Sequence, residues 1–351
     1  MLACGMEGGR HLRETIDSQP GLVARLLQDE RAVTALAPRI EGARRIFLVG
    51  TGTSFHGALV GEHIFRSVGR DAWAVPAFEF VHFGPALRED DGLILISHRG
   101  SKRFSNQALE KFAKHSEAWL VVTGEGSAYQ GDGVILTCPQ EQSSVHTASH
   151  VGAMLRLAQL ASAVATGDPA PWSPELRELP ARIEAASQLR SAVAAVVREL
   201  DLSRPVHFLG AGPGWATAME GALKLGEASY LSTVAHEIEG VLHGPILSIG
   251  KKQAVLVVAS AGPSRARTQQ VVAAFAAIGA SIVVVGPASA TVAGATWSLT
   301  TPEAPEVLAP LLNVVPLQWL AFEGARLVGV DPDTFRRTDP AYAASQEAAP
   351  L

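Results

Sequence analysis

Short apolar runs alternate with helical patterns along most of the chain. In the first half the runs are IFLVG, GLILIS, AWLVV and GVILTC, which begin at Ile46, Gly92, Ala118 and Gly133. Almost unbroken, β-branched runs of this length are typical of parallel strands that are covered on both faces. Helical patterns such as 105–115 lie between them. Strand–helix–strand alternation of this kind predicts a doubly wound α/β sheet.

The second half of the chain repeats the pattern of the first. Apolar runs at 254–260, 281–287 and 295–303 match the later runs of the first half. A repeat this long indicates a duplicated domain, so we expect two tandem α/β domains, each a doubly wound, flavodoxin-like parallel sheet with helices on both faces. When 46–61 is set above 206–221, small residues coincide at Gly50/Gly210, Gly52/Gly212, Ala58/Ala218 and Gly61/Gly221.

Composition narrows the class of protein. The 351 residues carry a formal net charge of −5, whereas general nucleic-acid binders are basic. No apolar run reaches the roughly 18–20 residues of a membrane span, and MLACGMEGGRHLRE at the start lacks the apolar core of a signal peptide. Cys4 and Cys138 are too few and too far apart for a disulfide framework or a zinc cluster. We expect a cytoplasmic protein that binds neither nucleic acid nor membrane and holds no metal or cofactor.

Two glycine-rich turns follow predicted strands, GTGTSF at 50–55 and GAGPGW at 210–215. A dinucleotide fingerprint would lie in the same place, but neither turn has glycine at its sixth position, and Gly214 comes one residue too early. A tight turn with close packing of strand and helix is the favoured explanation, with a dinucleotide site as the weaker alternative.

Polar loops follow other predicted strands, at the carboxyl ends where open α/β sheets bind ligands. SHRGSKRFS (97–105) offers hydroxyl groups, a glycine and three cations just before a helix, which suits an anion. The alternative is a solvated basic loop. In a second loop, QEQSSVHTASH (140–150), the hydroxyl groups can equally be helix caps. The polar candidates are Ser97, Arg99, Ser101, Lys102, Arg103 and Ser105 in the first loop and Ser143, Ser144 and Thr147 in the second.

The stretch EGALKLGEASYLSTVAHEIEGVLHGP (220–245) carries residues suited to proton transfer. Its helical part places Glu220, Lys224 and Glu227 on one side, and His243 precedes a Gly-Pro turn. A carboxylate among apolar neighbours loses hydration, which favours general acid–base work near neutral pH, and histidine titrates in the same range. We predict that Glu227 is this carboxylate. The alternative for Glu220 and Lys224, four residues apart, is an ordinary surface pair.

These stretches resemble the double sugar isomerase (SIS) family. The likeness covers about 20–339 and is greatest to the isomerase half of glutamine–fructose-6-phosphate aminotransferases and to stand-alone phosphosugar relatives. The segment 220–245 is similar to the family's EGALKLKE-type helix and E-x-x-HGP-type loop, which is a highly specific match. GTGTS resembles a CGTS-type loop, and AFEF (77–80) resembles a SEF element.

The resemblance implies a role for each matching residue. Proton transfer between C1 and C2 falls to Glu227, with Lys224 near the developing oxyanion. Ring opening falls to His243, which in the family reaches across from the neighbouring subunit, so a homodimer with a shared active site is implied. The implied ligand is a small-molecule sugar phosphate, contacted by Gly52, Thr53, Ser54, Ser97, His98, Arg99, Ser101, Lys102, Ser144, Val145, His146 and Thr147.

The chain also departs from the family pattern. The phosphate loop usually reads Ser-x-Ser-Gly-x-Thr, but Arg99 and Lys102 stand at the second Ser and at the Thr, so another anion or an extended substrate is possible. In the element that resembles VAST, His146 replaces a small hydroxyl residue. The Schiff-base lysine of the family's tail falls near Pro340, and no lysine follows Lys252.

We therefore expect a phosphosugar isomerase or deaminase that acts on an amino-sugar or fructosamine 6-phosphate without glutaminase activity. A plain aldose–ketose isomerase and a non-catalytic sugar-phosphate sensor are the alternatives. The predicted organisation is an N-terminal helical segment (1–30), a first SIS domain (31–165), a helical linker (166–202), a second SIS domain (203–330) and a tail over the site (331–351).

Overall fold

The computed structural model describes residues 8–166 and 170–350, which form two compact units. The first unit contains the described parts of 1–15, 25–170 and 331–351, and the second unit contains 16–24 and 171–330. Cys4 lies outside the described residues, whereas Cys138 is buried as a free thiol. Among the described helices, none is long and apolar enough to cross a membrane.

Each unit is built on one parallel sheet of five strands. The strands of the first sheet lie in the order β2-β1-β3-β4-β5, and the second sheet, read from β7 to β10, repeats this 2-1-3-4-5 order. This is the doubly wound order, so the predicted fold class is confirmed. The strands are β1 (Arg45–Gly50), β2 (Ala72–Pro76), β3 (Asp91–Ile96), β4 (Trp119–Glu125), β5 (Val134–Pro139), β6 (Val206–Gly210), β7 (Thr233–Glu237), β8 (Ala254–Val258), β9 (Ser281–Pro287) and β10 (Trp297–Thr301).

Helices cover the sheets and account for most of the remaining chain. Three-residue to six-residue 3₁₀ segments lie at Ser173–Glu178, Gly240–Leu242, Pro245–Ser248 and Ala288–Ala290. The α-helices are α1 (Arg10–Asp17), α2 (Gln19–Gln28), α3 (Glu30–Thr34), α4 (Pro38–Glu41), α5 (Thr53–Ser67), α6 (Ala77–His82), α7 (Arg103–Ala113), α8 (Ala148–Ala163), α9 (Leu179–Ser187), α10 (Arg190–Glu199), α11 (Pro213–Ser229), α12 (Arg265–Ile278), α13 (Ala309–Val328) and α14 (Pro340–Ala348).

The central strand β1 shows why the apolar runs are unbroken. Successive side chains of a strand point to opposite faces, and both faces are apolar here. Phe47 and Val49 pack into a core with residues of α6 and α7, whereas Leu48 faces α5. All three are at most 2% exposed. A strand covered on both faces therefore shows an almost unbroken apolar run.

The glycines that coincide in the repeat mark close approaches in each unit. A Cβ at Gly61 would lie 2.6 Å from Leu48 and 2.8 Å from Leu157, and one at Gly221 would lie 2.8 Å from Leu317. Each helix thus lies close to the central strand of its sheet, through Leu48 at Gly61 and through Phe208, at 3.1 Å, at Gly221. Gly52 and Gly212 take nearly the same positive-φ conformation before α5 and α11, with φ of 57° and 51° and ψ of −127° and −132°. The two units therefore share local geometry as well as strand order.

Candidate active site

Three loops of the first unit meet where the strand order reverses between β1 and β3. This switch point is the usual ligand site of a doubly wound sheet. A cavity there brings together residues from the loops after β1, β3 and β5 that the sequence analysis had singled out separately. Its lining includes Thr53, Ser54, His98 and His146, together with Thr123, Thr137, Ser149 and His150. The last four were not among the predicted residues.

The loop after β3 divides into a buried and an exposed part. Ser97 is only 4% exposed, and its carbonyl accepts a hydrogen bond from Thr123 Oγ1 at 2.6 Å. Gly100 has a φ of +72° and lies against the backbone of Ala128, so only glycine fits there without strain. The polar residues Arg99, Ser101 and Lys102 are exposed, as is Gly52 in the loop after β1.

His98 connects the loop after β3 to the loop after β5. Its Nε2 accepts a hydrogen bond from the Glu141 backbone N–H at 3.3 Å, and its ring meets His146 edge-on with centroids 5.0 Å apart. Burial lowers the pKa of His98, and the charge of Arg99 lowers it further, against an opposite effect from the Glu141 carboxylate. A neutral imidazole that accepts at Nε2 carries its proton on Nδ1.

The loop after β5 is held by Glu141, a residue that the sequence analysis did not select. Its carboxylate accepts backbone N–H groups of Thr147 and Ser149, both at 2.9 Å, at the start of α8. An anion is favoured at this end of a helix. Val145 and Thr147 are fully buried, whereas Ser144 and His146 remain partly exposed. The only sequence signal for this cap was an acidic residue several positions before a helix.

One cluster has the residue types of a metal site. His98, Cys138 and Glu141 each place a ligand atom within 4.8 Å of the others, the only such group among residues 8–166 and 170–350. The Glu141 oxygens are already used as a helix cap. Burial and then the charge of Glu141 raise the pKa of the Cys138 thiol to about 12. The hydrogen bonds of Glu141 to the start of α8 explain why these side chains lie together, as packing around the helix cap.

In the second unit, α11 brings the predicted proton-transfer residues together. Lys224 Nζ lies 2.6 Å from Glu227 Oε2 and 3.5 Å from Glu220 Oε1. Glu220 and Lys224 have side chains 0% and 1% exposed, so the alternative of an ordinary surface pair is wrong. We expected Glu227 to lose its hydration, but its side chain keeps 23% of its surface exposed, and Glu220 and Lys224 are the residues that are removed from water. Glu227 is therefore the member of the group that a ligand can reach.

His243 lies on the surface of the second unit, between the two 3₁₀ segments that flank the Gly-Pro turn. Its side chain is 73% exposed, and Nε2 lies 3.1 Å from Glu239 Oε1. Arg267 forms two hydrogen bonds to the same carboxylate, at 2.5 and 2.9 Å. These bonds from Arg267, and then the bond from His243, lower the pKa of Glu239 to about 2. The imidazole thus has an anionic partner throughout the neutral range.

Comparison with known proteins decides the family. The model of the SIS domain matches residues 39–165 and again 203–325, which together make up more than half of the chain. The chain belongs to the SIS family. Each matched SIS segment contains one complete five-stranded sheet.

Relatives of this SIS protein include longer enzymes. A glutamine–fructose-6-phosphate aminotransferase [isomerizing] of Gloeobacter violaceus is 29% identical over 350 residues, which cover 93% of this chain and 57% of the relative. The chain therefore spans little more than half the length of such relatives.

Solved structures share the fold across almost the whole chain. The C-terminal domain of glucosamine-fructose-6-phosphate aminotransferase from Francisella tularensis has a TM-score of 0.82 at 19% identity, covering 94% of this chain and 99% of its own. A tagatose-6-phosphate ketose/aldose isomerase from Escherichia coli has a TM-score of 0.77 at 22% identity, covering 93% and 95%. At these identities the likeness establishes the fold alone.

Proposed function

We propose that this SIS protein is a phosphosugar isomerase or deaminase that transfers a proton between C1 and C2 of an amino-sugar or fructosamine 6-phosphate, without glutaminase activity. The observation that carries the proposal is Glu227, a partly exposed carboxylate held 2.6 Å from a buried ammonium group. A general base must be accessible and fixed in one position, and this carboxylate meets both conditions.

Lys224 has a positioning role in this proposal. Its side chain is 1% exposed and lies between two carboxylates, so the ammonium group is turned away from solvent. A charge-assisted hydrogen bond of this length fixes the Glu227 carboxylate and leaves its other oxygen for a substrate proton. The earlier expectation, that Lys224 polarises a developing oxyanion, requires a direct contact that its burial disfavours.

His243 is proposed to open the sugar ring. The Glu239 carboxylate holds one side of the imidazole, and Arg267 holds Glu239, so the ring is oriented while most of its surface stays accessible. An oriented imidazole can accept a proton from one sugar oxygen and return it to another. We keep the proposal that His243 serves the site of a partner subunit in a cytoplasmic homodimer.

The loops of the first unit are proposed to bind the phosphate group. Exposed Arg99, Ser101 and Lys102 supply charge and a hydroxyl group just before α7. Thr53 and Ser54 begin α5 and line the neighbouring cavity. Phosphate oxygens accept hydrogen bonds from cationic side chains, from hydroxyl groups and from the first N–H groups of a helix.

The nitrogen-bearing substrate is favoured by two observations. Residues 253–351 contain no lysine, so a reaction that passes through an imine would not take its nitrogen from this segment, and a substrate that carries nitrogen can supply it. The aminotransferase relative and the aminotransferase domain described above both have names that specify transfer of an amino group. A plain aldose–ketose isomerase is the second candidate, supported by the fold shared with the tagatose-6-phosphate isomerase.

Proton exchange with solvent tests the proposal directly. Candidate hexose, hexosamine and fructosamine 6-phosphates are incubated with the protein in deuterated water, and the C1 and C2 protons are followed by NMR. We expect exchange with at least one nitrogen-bearing ligand, and a fall of about 100-fold or more in Glu227→Gln, since general base catalysis is worth about 10²–10⁴-fold. Glu199→Gln, which changes an exposed carboxylate of α10, is the matched control and retains the exchange.

Two results would contradict the proposal. Exchange that survives in Glu227→Gln would remove this carboxylate from the reaction. Binding without exchange, for every ligand of the panel, would instead identify a sugar-phosphate sensor.

A further inference from the structure

The loop after β3 is held from one side by β4 and the segment that follows it. Three successive carbonyl groups of the loop, those of residues 97–99, accept hydrogen bonds from this side. The donors are Thr123 Oγ1 at 2.6 Å, the Gly124 N–H at 3.0 Å and the Ala128 N–H at 3.3 Å. The backbone that leads into the proposed phosphate-binding loop is therefore fixed as far as residue 99.

Tyr129, the residue after Ala128, extends this support further along the chain. Its ring lies against Gly100, because a Cβ on that glycine would be 3.0 Å from Tyr129 Cδ2. Its hydroxyl group donates a hydrogen bond to Oδ1 of Asn106, the fourth residue of α7. One side chain thus contacts both the loop and the helix that follows the loop.

The Tyr129 side chain is itself fixed in place. Its backbone N–H donates to Ser127 Oγ, and the Ser127 hydroxyl donates to the Tyr129 carbonyl, both at 3.2 Å. Its ring packs against the apolar core to which α6 and α7 contribute. Burial raises the pKa of Tyr129 to about 12, although a hydrogen bond with Ser97 has the opposite effect. The hydroxyl group therefore keeps its proton, and can donate to Asn106, throughout the neutral pH range.

We propose that Tyr129 is a positioning residue for phosphate binding, which holds the loop after β3 and the start of α7 in their binding geometry. This inference rests on the proposed function. The exposed Ser101 and Lys102 lie within the segment that Tyr129 contacts, and Arg99 directly precedes it. A loop that is ordered before the ligand arrives loses less conformational entropy on binding, so it binds more tightly.

Removal of one hydroxyl group tests this role. Tyr129→Phe keeps the ring against Gly100 and deletes the bond to Asn106. In the proton-exchange assay, with the ligand of the panel that exchanges fastest, the concentration for half the maximal rate should rise about fivefold, as the net value of one hydrogen bond allows. The rate at saturation should be unchanged, because Glu227 is untouched. Inorganic phosphate, added as a competing ligand, should lose affinity by the same factor.

A second variant shows whether Tyr129 acts through Asn106. Asn106→Leu removes the acceptor, so it should cause the same rise as Tyr129→Phe. The double variant should show no further rise, since both changes break one interaction. Thr34→Val is the control, because it deletes an exposed hydroxyl group from α3 of the same unit and should leave both concentration and rate unchanged.

Three results would overturn the inference and leave the proposed function intact. They are an unchanged half-maximal concentration in Tyr129→Phe, a fall in the saturated rate alone, and a rise of about 25-fold in the double variant, which would make the two effects independent. Absence of exchange in the unsubstituted protein, for every ligand of the panel, would overturn both.

Discussion

His207 and His236 form a polar pair on the neighbouring strands β6 and β7 of the second unit. Their rings are stacked at 14°, and His207 Nδ1 lies 3.1 Å from His236 Nε2. Gln253 Oε1 accepts hydrogen bonds from the Arg204 guanidinium and the Gly250 N–H, so its amide nitrogen is the atom that donates to His207 Nε2 at 2.8 Å. His207 therefore carries its proton on Nδ1 and donates it to His236.

The pair should make stability depend on pH. Burial, and then the proximity of His236, lower the pKa of His207 from 6.5 to about 4. Between these values the unfolded chain binds a proton that the folded chain does not, so the free energy of unfolding falls as the pH drops from about 6.5 to 4. By pH 5 the loss amounts to about 2 kcal/mol. In His207→Gln, urea unfolding at pH 7 and pH 5 should differ by about 2 kcal/mol less than in the unsubstituted chain.

His115→Gln provides the comparison, since it removes an exposed imidazole from the surface of the first unit. It should show the same difference between pH 7 and pH 5 as the unsubstituted chain. An identical pH dependence in His207→Gln would mean that His207 is protonated equally in the folded and unfolded states.

At the scale of the element, α11 depends on a buried charge. Glu220 and Lys224 are fully removed from solvent, and each charge is costly to bury alone. Lys224→Met should therefore destabilise the second unit by about 3–5 kcal/mol, because it leaves the Glu220 carboxylate without its cation. Adding Glu220→Leu should recover most of this loss, since an apolar pair of similar volume replaces a buried ion pair at little cost. Urea unfolding followed by circular dichroism gives both values.

Lys251→Met serves as the control, because Lys251 is exposed in the same unit. A surface substitution of this kind changes the free energy of unfolding by about 0.5 kcal/mol or less. If Lys224→Met were no more destabilising than Lys251→Met, the ammonium group would not be holding α11 together.

The elements that sequence reasoning found differ physically from those it missed. Eight strands were predicted from continuous apolar runs, but β2 and β7 were not. Both lie at a sheet edge, as do β5 and β10, but β2 has only one buried residue and β7 has none, and Trp73 and Val234 are 49% and 38% exposed. An edge strand is not buried on both faces, so its composition need not be apolar.

In the candidate site, too, sequence reasoning found some residues and missed others. The likeness of 220–245 to the SIS family selected Glu227, Lys224 and His243, and the structure brings the first two together. Glu141 and Arg267 were not predicted. Glu141 caps α8 at Ser149, eight residues further on, and Arg267 binds Glu239, which is 28 residues away along the chain. The burial of Glu220 was also missed, because spacing by four residues is the same on a buried and on an exposed helix face.

At the scale of the whole molecule, the duplicated fold has been used unequally. Both units have the same strand order and the same glycine conformation after the first strand. The first unit carries the exposed cations Arg99 and Lys102 in the loop after β3, whereas the second carries the buried ion group of α11 and the His243–Glu239 pair. Duplication thus supplied two equivalent scaffolds, and different side chains at their loops and helices gave them different chemistry.

The proposed sharing of His243 between subunits predicts complementation. Glu227→Gln and His243→Ala should each be inactive alone. In a twofold dimer whose sites combine Glu227 of one subunit with His243 of the other, a mixed dimer contains one intact site and one doubly altered site. Random reassociation makes about half of the dimers mixed, so about a quarter of the unsubstituted exchange rate should return.

The matched control pairs Glu227→Gln with a chain that carries both substitutions. Each of its possible dimers lacks the carboxylate at every site, so no exchange should return, although the subunits associate in the same way. Recovery in the first mixture alone therefore reports an intact combination of carboxylate and imidazole. If neither mixture recovers while size measurements confirm mixed dimers, His243 acts within its own chain, and its orientation by Glu239 and Arg267 serves a site complete in one subunit.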